Sequence, residues 1–259
     1  MRALRFGAVA EAYERFRPGY PGEIVDLVTS YAGEPPRTVL EIGAGTGKAT
    51  RLFARPGVRV TATDPDPAML AELSRHVPAD VRTMQVAFED VPLSERHDLV
   101  FAAAALHWTA PEGRWTRMAG LLRPGGVFAS IGGPVQLADP AVVAAVQAAR
   151  SPFLDTDDIP SPDGTPPEDP LQWPGKEMQR SGWFHDVRQT VIERRMTMTA
   201  DEFVGYLSTV SAYLELLASQ QEQVFDRILR ALPPVVEITG DLIVQMGRRA
   251  ATRSGGCDG

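Results

Sequence analysis

The sequence holds a single cysteine, only four histidines and no long apolar run in 259 residues. Cys257, in the tail Ser254-Gly-Gly-Cys-Asp-Gly259, has no partner thiol in the chain, which excludes an intrachain disulfide framework and any two-cysteine metal site. No metal is expected, and the lone thiol suits a reducing, cytoplasmic setting. No stretch approaches the roughly 18 apolar residues of a membrane helix, and Met1-Arg-Ala-Leu-Arg-Phe-Gly lacks the apolar core of a signal peptide, so neither a membrane nor export is expected. Positive charge is scarce as well. The balance of 26 Lys and Arg against 33 Asp and Glu leaves a net charge of -7, and no basic block interleaved with aromatics offsets it, so nucleic acid is not an expected partner. The short runs Arg194-Arg195 and Arg248-Arg249 read as solvated ends of strands or helices.

What is present is an ordinary globular composition, 44% hydrophobic and 23% charged, in a chain long enough for one α/β domain with an added lid. Val39–Ile42 reads as a strand, followed by a glycine turn and a helix from Ala49. Val58–Thr63 is a second strand ending at Asp64, and Pro67 opens the next helix with Met69, Leu70 and Leu73 at helical spacing. Val81–Ala87, Asp98–Ala103 and Val127–Ile131 continue the rhythm as three more strands, with a helix over Trp115–Leu122. Alternation of this kind predicts a parallel sheet covered on both faces. Beyond residue 134 the spacing predicts a helix at Pro140–Arg150, a Pro- and Asp-rich loop over 151–175, a β-rich run at Val187–Met196, helices at Ala200–Leu217 and Gln220–Leu232, and a last strand at Glu237–Met246. A loop this long is either a lid or a segment without fixed structure.

Glu41-Ile-Gly-Ala-Gly-Thr-Gly47 is the most informative segment. Glycines between a strand and a helix admit positive φ and a close ligand, and the helix start offers free N–H groups. A dinucleotide fingerprint needs glycine at position 48, where Lys48 stands, and a Walker loop needs glycine at 42 and a hydroxyl at 49, where Ile42 and Ala49 stand. Asp64, at the end of the second strand, is placed to accept two hydrogen bonds from ribose hydroxyls.

An acid ahead of G-x-G-x-G resembles the class I S-adenosylmethionine-dependent methyltransferases. Four more segments match at the right intervals: Asp64-Pro-Asp66, Ala87-Phe-Glu-Asp-Val-Pro92, His97–Trp108 and Leu122-Arg-Pro-Gly-Gly126. Tyr13-Glu-Arg-Phe-Arg-Pro-Gly-Tyr-Pro21 is similar to the N-terminal segment of a trans-aconitate methyltransferase-like (methyltransferase type 11) subgroup. The resemblance, firm over residues 10–131, implies an α/β, Rossmann-like, seven-stranded, mostly parallel sheet with helices on both faces, an N-terminal cap and a helical lid insertion. The cofactor it implies is S-adenosyl-L-methionine, with S-adenosyl-L-homocysteine as product. Glu41, Gly43, Ala44, Gly45 and Gly47 would surround its methionine part, Asp64 and Pro65 its ribose and adenine, Phe88 and Glu89 the adenine edge, and Ala103 the loop facing the methyl group. Where many relatives carry an acid, this chain has Ala87. Tyr13 and Arg17 would fold over the cofactor.

The acceptor side carries less signal. His107, at a strand mouth, is the candidate base or, alternatively, a spacer beside an anchoring Trp108. Trp108 with Tyr206, Thr209 and Tyr213, spaced along one helix face, are candidate acceptor contacts or ordinary half-buried residues. The organisation expected is one domain over 1–259: a cap at 1–36, a cofactor core at 37–134, a linker and helical acceptor region with the sixth strand at 135–217, a C-terminal helix and strand at 218–250 and a tail at 251–259. The function implied is methyl transfer to a small-molecule O, N or C acceptor, as in secondary metabolism; the alternative is a non-catalytic protein that binds the same nucleoside.

Overall fold

The structure, a computed structural model, describes residues 2–157, 161–166 and 168–251. Cys257 and parts of the Pro- and Asp-rich loop lie outside those residues. Helices α1 (Ala10–Phe16) and α2 (Glu23–Ala32) precede strand β1 (Thr38–Ile42), helix α3 (Thr50–Phe53), β2 (Arg59–Asp64), α4 (Pro67–Leu73), β3 (Arg82–Gln85), β4 (His97–Ala103), α5 (Arg114–Leu121) and β5 (Leu122–Gly132). Then follow β6 (Gln136–Leu137), α6 (Pro140–Arg150), α7 (Gly175–Arg180), β7 (Phe184–Ile192), β8 (Arg195–Thr199), α8 (Ala200–Leu207), α9 (Ser211–Leu214), α10 (Ala218–Ala231), β9 (Val235–Thr239) and β10 (Leu242–Arg249).

Seven strands form one sheet in the order β3-β2-β1-β4-β5-β10-β7. The first five are parallel, and β10 is antiparallel to both β5 and β7. Central strands are buried on both faces, as a parallel sheet requires: along β4, Leu99 and Phe101 pack with Val28 and Phe53 on one side, while Val100 and Ala102 pack with Met118 and Trp115 on the other. Asp66 caps α4 by accepting from Ala68 N–H at 2.9 Å, with Pro67 in the first turn as the sequence predicts.

A second sheet, β6-β9-β8, stands beyond the first with α6, α8 and α10 packed on it through Val146, Phe203, Val224 and Ile238. Three sequence expectations are corrected here. Val187–Met196 is not one strand but two, β7 in the large sheet and β8 in the small one, and Glu237–Met246 divides in the same way into β9 and β10. The chain changes sheets at Glu193–Arg194 and Gly240–Asp241, and these corners are tied together: Gly240 N–H donates to Arg194 O at 3.0 Å and Arg194 N–H to Asp241 Oδ1 at 2.8 Å. Ala200–Leu217 is likewise two helices, interrupted at 208–210, where Thr209 Oγ1 donates to Tyr206 O at 2.7 Å and so competes with the helical ladder.

Helix α1 wedges between the two parts. At Gly205 on α8, a Cβ would lie 2.6 Å from the Phe16 ring. Gly205→Ala is therefore expected to destabilise the fold by about 1–2 kcal/mol in denaturant melts, the overpacking cost exceeding the gain in helix propensity; an unchanged or raised midpoint would contradict this packing.

Candidate functional site

Parallel strands bring their C-terminal ends to one edge, and here β1, β2 and β4 deliver Glu41, Asp64 and Ala103 to it. The turn after β1 runs through left-handed backbone at Gly43 (φ 65°) and Gly45 (φ 55°). At Gly43 a Cβ would sit 2.5 Å from that of Ala105, so only glycine lets this turn lie against the β4 loop; at Gly45 a Cβ would meet only open space. Asp64 holds the turn from below: Oδ2 accepts Gly45 N–H and Oδ1 accepts Asp66 N–H, both at 2.9 Å. Ala104 follows β4 with φ 51°, a strained value for a residue with a Cβ, and it faces the same space.

Charge at this edge is unusual. Glu41 is 1% exposed and accepts from Thr50 Oγ1 at 2.5 Å. Burial pushes its carboxyl up to about 8, against the Thr50 hydrogen bond and with a further push from Asp64, so at neutral pH it is mostly protonated. Burial also raises Asp64, although its two backbone N–H donors resist this. Helix α1 supplies a third acid. Glu14 accepts from Thr46 Oγ1 at 2.7 Å and from both Arg51 Nη atoms at 2.9 Å, with Lys48 Nζ 3.6 Å away. Burial pushes Glu14 up, but these hydrogen bonds and charges outweigh it and hold the carboxyl below its usual range.

A cavity of about 80 Å³, partly open to solvent, lies between the glycine turn, α1 and the sheet-changing corners. The sequence candidates Tyr13, Arg17, Glu41, Gly43, Ala44, Gly45 and Ala103 all line it. Gly47 instead packs toward Leu73, where its Cβ would come within 2.8 Å. Asp64 and Pro65 stand below and beside the turn. Phe88 is buried in the core with Ile42 and Leu106, and the exposed Glu89 accepts Ala110 N–H at 2.7 Å.

The acceptor-side candidates are not among the cavity-lining residues. His107 and Trp108 sit on a short 3-10 helix, Leu106–Trp108, with their rings 4.7 Å apart. Burial, then the Arg114 charge, lowers His107 to about 4, so its imidazole is neutral and weakly basic. Trp108 meets Phe6 edge-on at 5.8 Å, and Phe6 meets Tyr13 at 6.1 Å. Through these rings the N-terminal segment is fastened to the β4 loop. Thr209 is wholly buried and engaged by Arg17, which donates Nε to its Oγ1 and Nη2 to its carbonyl, both at 2.8 Å. The Arg17 guanidinium lies over Tyr13 and Tyr206 at 5.1 and 4.9 Å, and the Tyr213 hydroxyl donates to Asp157 Oδ2 at 3.1 Å.

Tyr20, Lys48, Gly132, Gly133, Val135, Arg194, Gly240 and Leu242 also line the wall. Sequence reasoning missed the last six because they come from three distant segments that meet only at the sheet-changing corners. Arg194, read as a solvated strand end, is half-buried on the wall, whereas its neighbour Arg195 is exposed. A charged residue amid a β-rich run is the one signal that marked it.

The fold and the turn define a Rossmann-like nucleoside-binding architecture of the methyltransferase kind. Residues 40–130 match the model of the methyltransferase domain family. It is 42% identical over 125 residues to an uncharacterized methyltransferase of Mycobacterium tuberculosis (strain ATCC 25618 / H37Rv), covering 48% of this chain and 50% of that protein. It is 32% identical over 120 residues to a trans-aconitate 2-methyltransferase of Acidovorax sp. (strain JS42), covering 45% and 46%. The chain thus spans about half the length of the curated relatives it matches. Among solved structures, a protein from Anaeromyxobacter dehalogenans, provisionally described as a type II methyltransferase, superimposes with a TM-score of 0.64 at 25% identity over 90% of this chain and 98% of that one. Among the described residues no helix is long and apolar enough to cross a membrane, and no cluster of His, Cys, Asp and Glu is arranged to hold a metal.

Because the folded Glu41 carboxyl titrates near 8 rather than near 4.5, it favours the folded state fully only below about pH 4.5, and that contribution is lost as pH rises toward 8. Glu41→Gln, always neutral, is expected to remove this loss. Melting temperatures of wild type and variant should converge in acid and separate by several degrees at pH 8–9 with the variant higher; parallel curves would show that Glu41 ionises normally.

Proposed function

We propose that this chain is an S-adenosyl-L-methionine-dependent methyltransferase acting on a small-molecule acceptor. The observation that carries the reading is the glycine turn held by Asp64 at the lip of the cavity, with the side of Gly45 open and a buried acid, Glu41, directly behind. A Cβ at Gly43 would prevent the turn from reaching the β4 loop, and the open face of Gly45 is the cradle that a nucleoside-linked amino acid needs. The matched methyltransferase domain and a 30% identical relative from Saccharomyces cerevisiae (strain ATCC 204508 / S288c), whose name specifies S-adenosylmethionine dependence, support the same cofactor.

Bound here, S-adenosyl-L-methionine would supply an electrophilic methyl group on sulfur. The protein's part is then to bind, orient and exclude water. Asp64 would offer its remaining lone pairs to vicinal hydroxyls, Arg17 and Tyr13 would hold the carboxylate end, and Ala103 and Ala104 would shield the methyl group from water. Glu41, neutral when alone, would ionise beside an incoming ammonium. Because His107 is absent from the cavity wall and weakly basic, proton removal by His107 is not part of this reading. A wall without a strong side-chain base equally suits a protein that binds the nucleoside without turnover; release of S-adenosylhomocysteine in the presence of acceptor separates the two.

Calorimetric titration with S-adenosylmethionine, S-adenosylhomocysteine and NAD is expected to show binding of the first two alone. Asp64→Ala, by removing two hydrogen bonds to a charged acceptor, should weaken them by about 100-fold or more. Binding of NAD alone, or of none of the three, would overturn the proposal.

A further inference from the structure

Ala104, the residue after β4, is held at φ 51° on the cavity wall. Left-handed backbone at a residue with a Cβ persists only where its surroundings impose it. On the strand side, Ala104 N–H donates to Ile131 O at 2.8 Å. On the other side the chain passes the buried Ala105, which lies against the glycine turn, and leaves its short 3-10 helix at Thr109. Within that helix Trp108 N–H donates to Ala105 O, and both Thr109 N–H and Thr109 Oγ1 donate to Leu106 O.

Thr109 is gripped by one side chain. Arg114, the first residue of α5 and only 4% exposed, donates Nε to Thr109 Oγ1 at 2.8 Å and Nη2 to Thr109 O at 2.7 Å. Its Nη1 donates to Glu177 Oε2 on α7 at 3.0 Å, and the same oxygen accepts Trp173 Nε1 at 2.7 Å. The fork recurs at the end of α8, where Arg17 holds the hydroxyl and carbonyl of Thr209 in the same way. A planar guanidinium can grip two acceptors of one residue at once, and an ammonium cannot. Arg114 is not among the residues lining the cavity. A cation buried this deeply adds little stability over an apolar side chain of its size, so the geometry it imposes is the better account of its place.

We propose that Arg114 is a positioning residue for the site: from outside the cavity it pins Thr109 and thereby holds Ala103, Ala104 and Ala105 in the shape that forms the wall beside the glycine turn. Freed at Thr109, Ala104 relaxes to negative φ, and the peptide after it leaves the space that Gly43 keeps open. The effect on ligand binding rests on the cofactor reading above; the effect on the wall does not.

Two measurements on the full-length protein test these effects separately. Amide hydrogen exchange without ligand reads the wall. In Arg114→Gln the amides of Ala104, Trp108 and Thr109 are expected to exchange faster by about tenfold or more beyond any change in those of β1. Calorimetric titration with S-adenosylhomocysteine reads the site. Arg114→Gln should weaken binding by about tenfold or more, because only the fraction of molecules with the wall in place binds. Adding Ala104→Gly, which takes up φ 51° without strain, should recover about fivefold of that loss, a larger gain than the same change brings to the wild type. If Arg114→Gln does not fold, Arg114→Lys, which keeps the charge but loses the fork, is read in the same way. A purely structural Arg114 would lower the melting point, speed exchange in β1 as much as in the loop, and leave the affinity of the folded protein alone. Exchange rising no more at 104–109 than in β1, affinity within twofold of wild type, or no recovery with Ala104→Gly would overturn the proposal. Failure of the wild type to bind S-adenosylhomocysteine would overturn the cofactor reading, and exchange at 104–109 would still decide the role of Arg114.

Discussion

The parallel arrangement of β1, β2, β4 and β5 is the constraint on which the rest depends. Strands that run the same way must all end at one edge, and the loops leaving them are forced together there. That crowding places Glu41, Asp64 and Ala103, which are far apart in the chain, around one turn. It also explains the glycines: with the β4 loop pressed against the β1 turn, Gly43 has room for no side chain.

The second sheet turns this edge into a cavity. Three segments, at Gly132–Gly133, Glu193–Arg194 and Gly240–Asp241, cross from the large sheet to the small one at the same level and supply the wall opposite the glycine turn. The packing there is tight enough that a Cβ at Gly133 would collide with the Asp241 carbonyl at 1.8 Å. Helix α1 then joins the two sides: Glu14 fastens it to Thr46, Lys48 and Arg51 in and after the glycine turn, and Arg17, just past its end, fastens it to Thr209 beyond α8.

Charge follows from the same geometry. Glu41 is sealed beneath the turn and loses its charge, whereas Arg17 and Arg194 keep theirs because a guanidinium does not readily deprotonate. The result is a cavity with a positive excess in a chain whose net charge is -7, so the electrostatics of the site are opposite in sign to those of the whole molecule.

The sequence by itself determined the parallel core, the glycine turn and most of its lining, because a strand-turn-helix unit is local: alternation, Pro67 at a helix start and turn glycines report it within a few residues. Only the tertiary structure decided that Val187–Met196 and Glu237–Met246 each serve two sheets, that Arg194 stands on the cavity wall, and that His107, Tyr206, Thr209 and Tyr213 do not. A bend from one sheet to another leaves the hydrophobic alternation on both sides intact, so no periodic signal marks it. Whether a side chain faces a cavity or a neighbouring carbonyl is set by segments more than a hundred residues away in the chain.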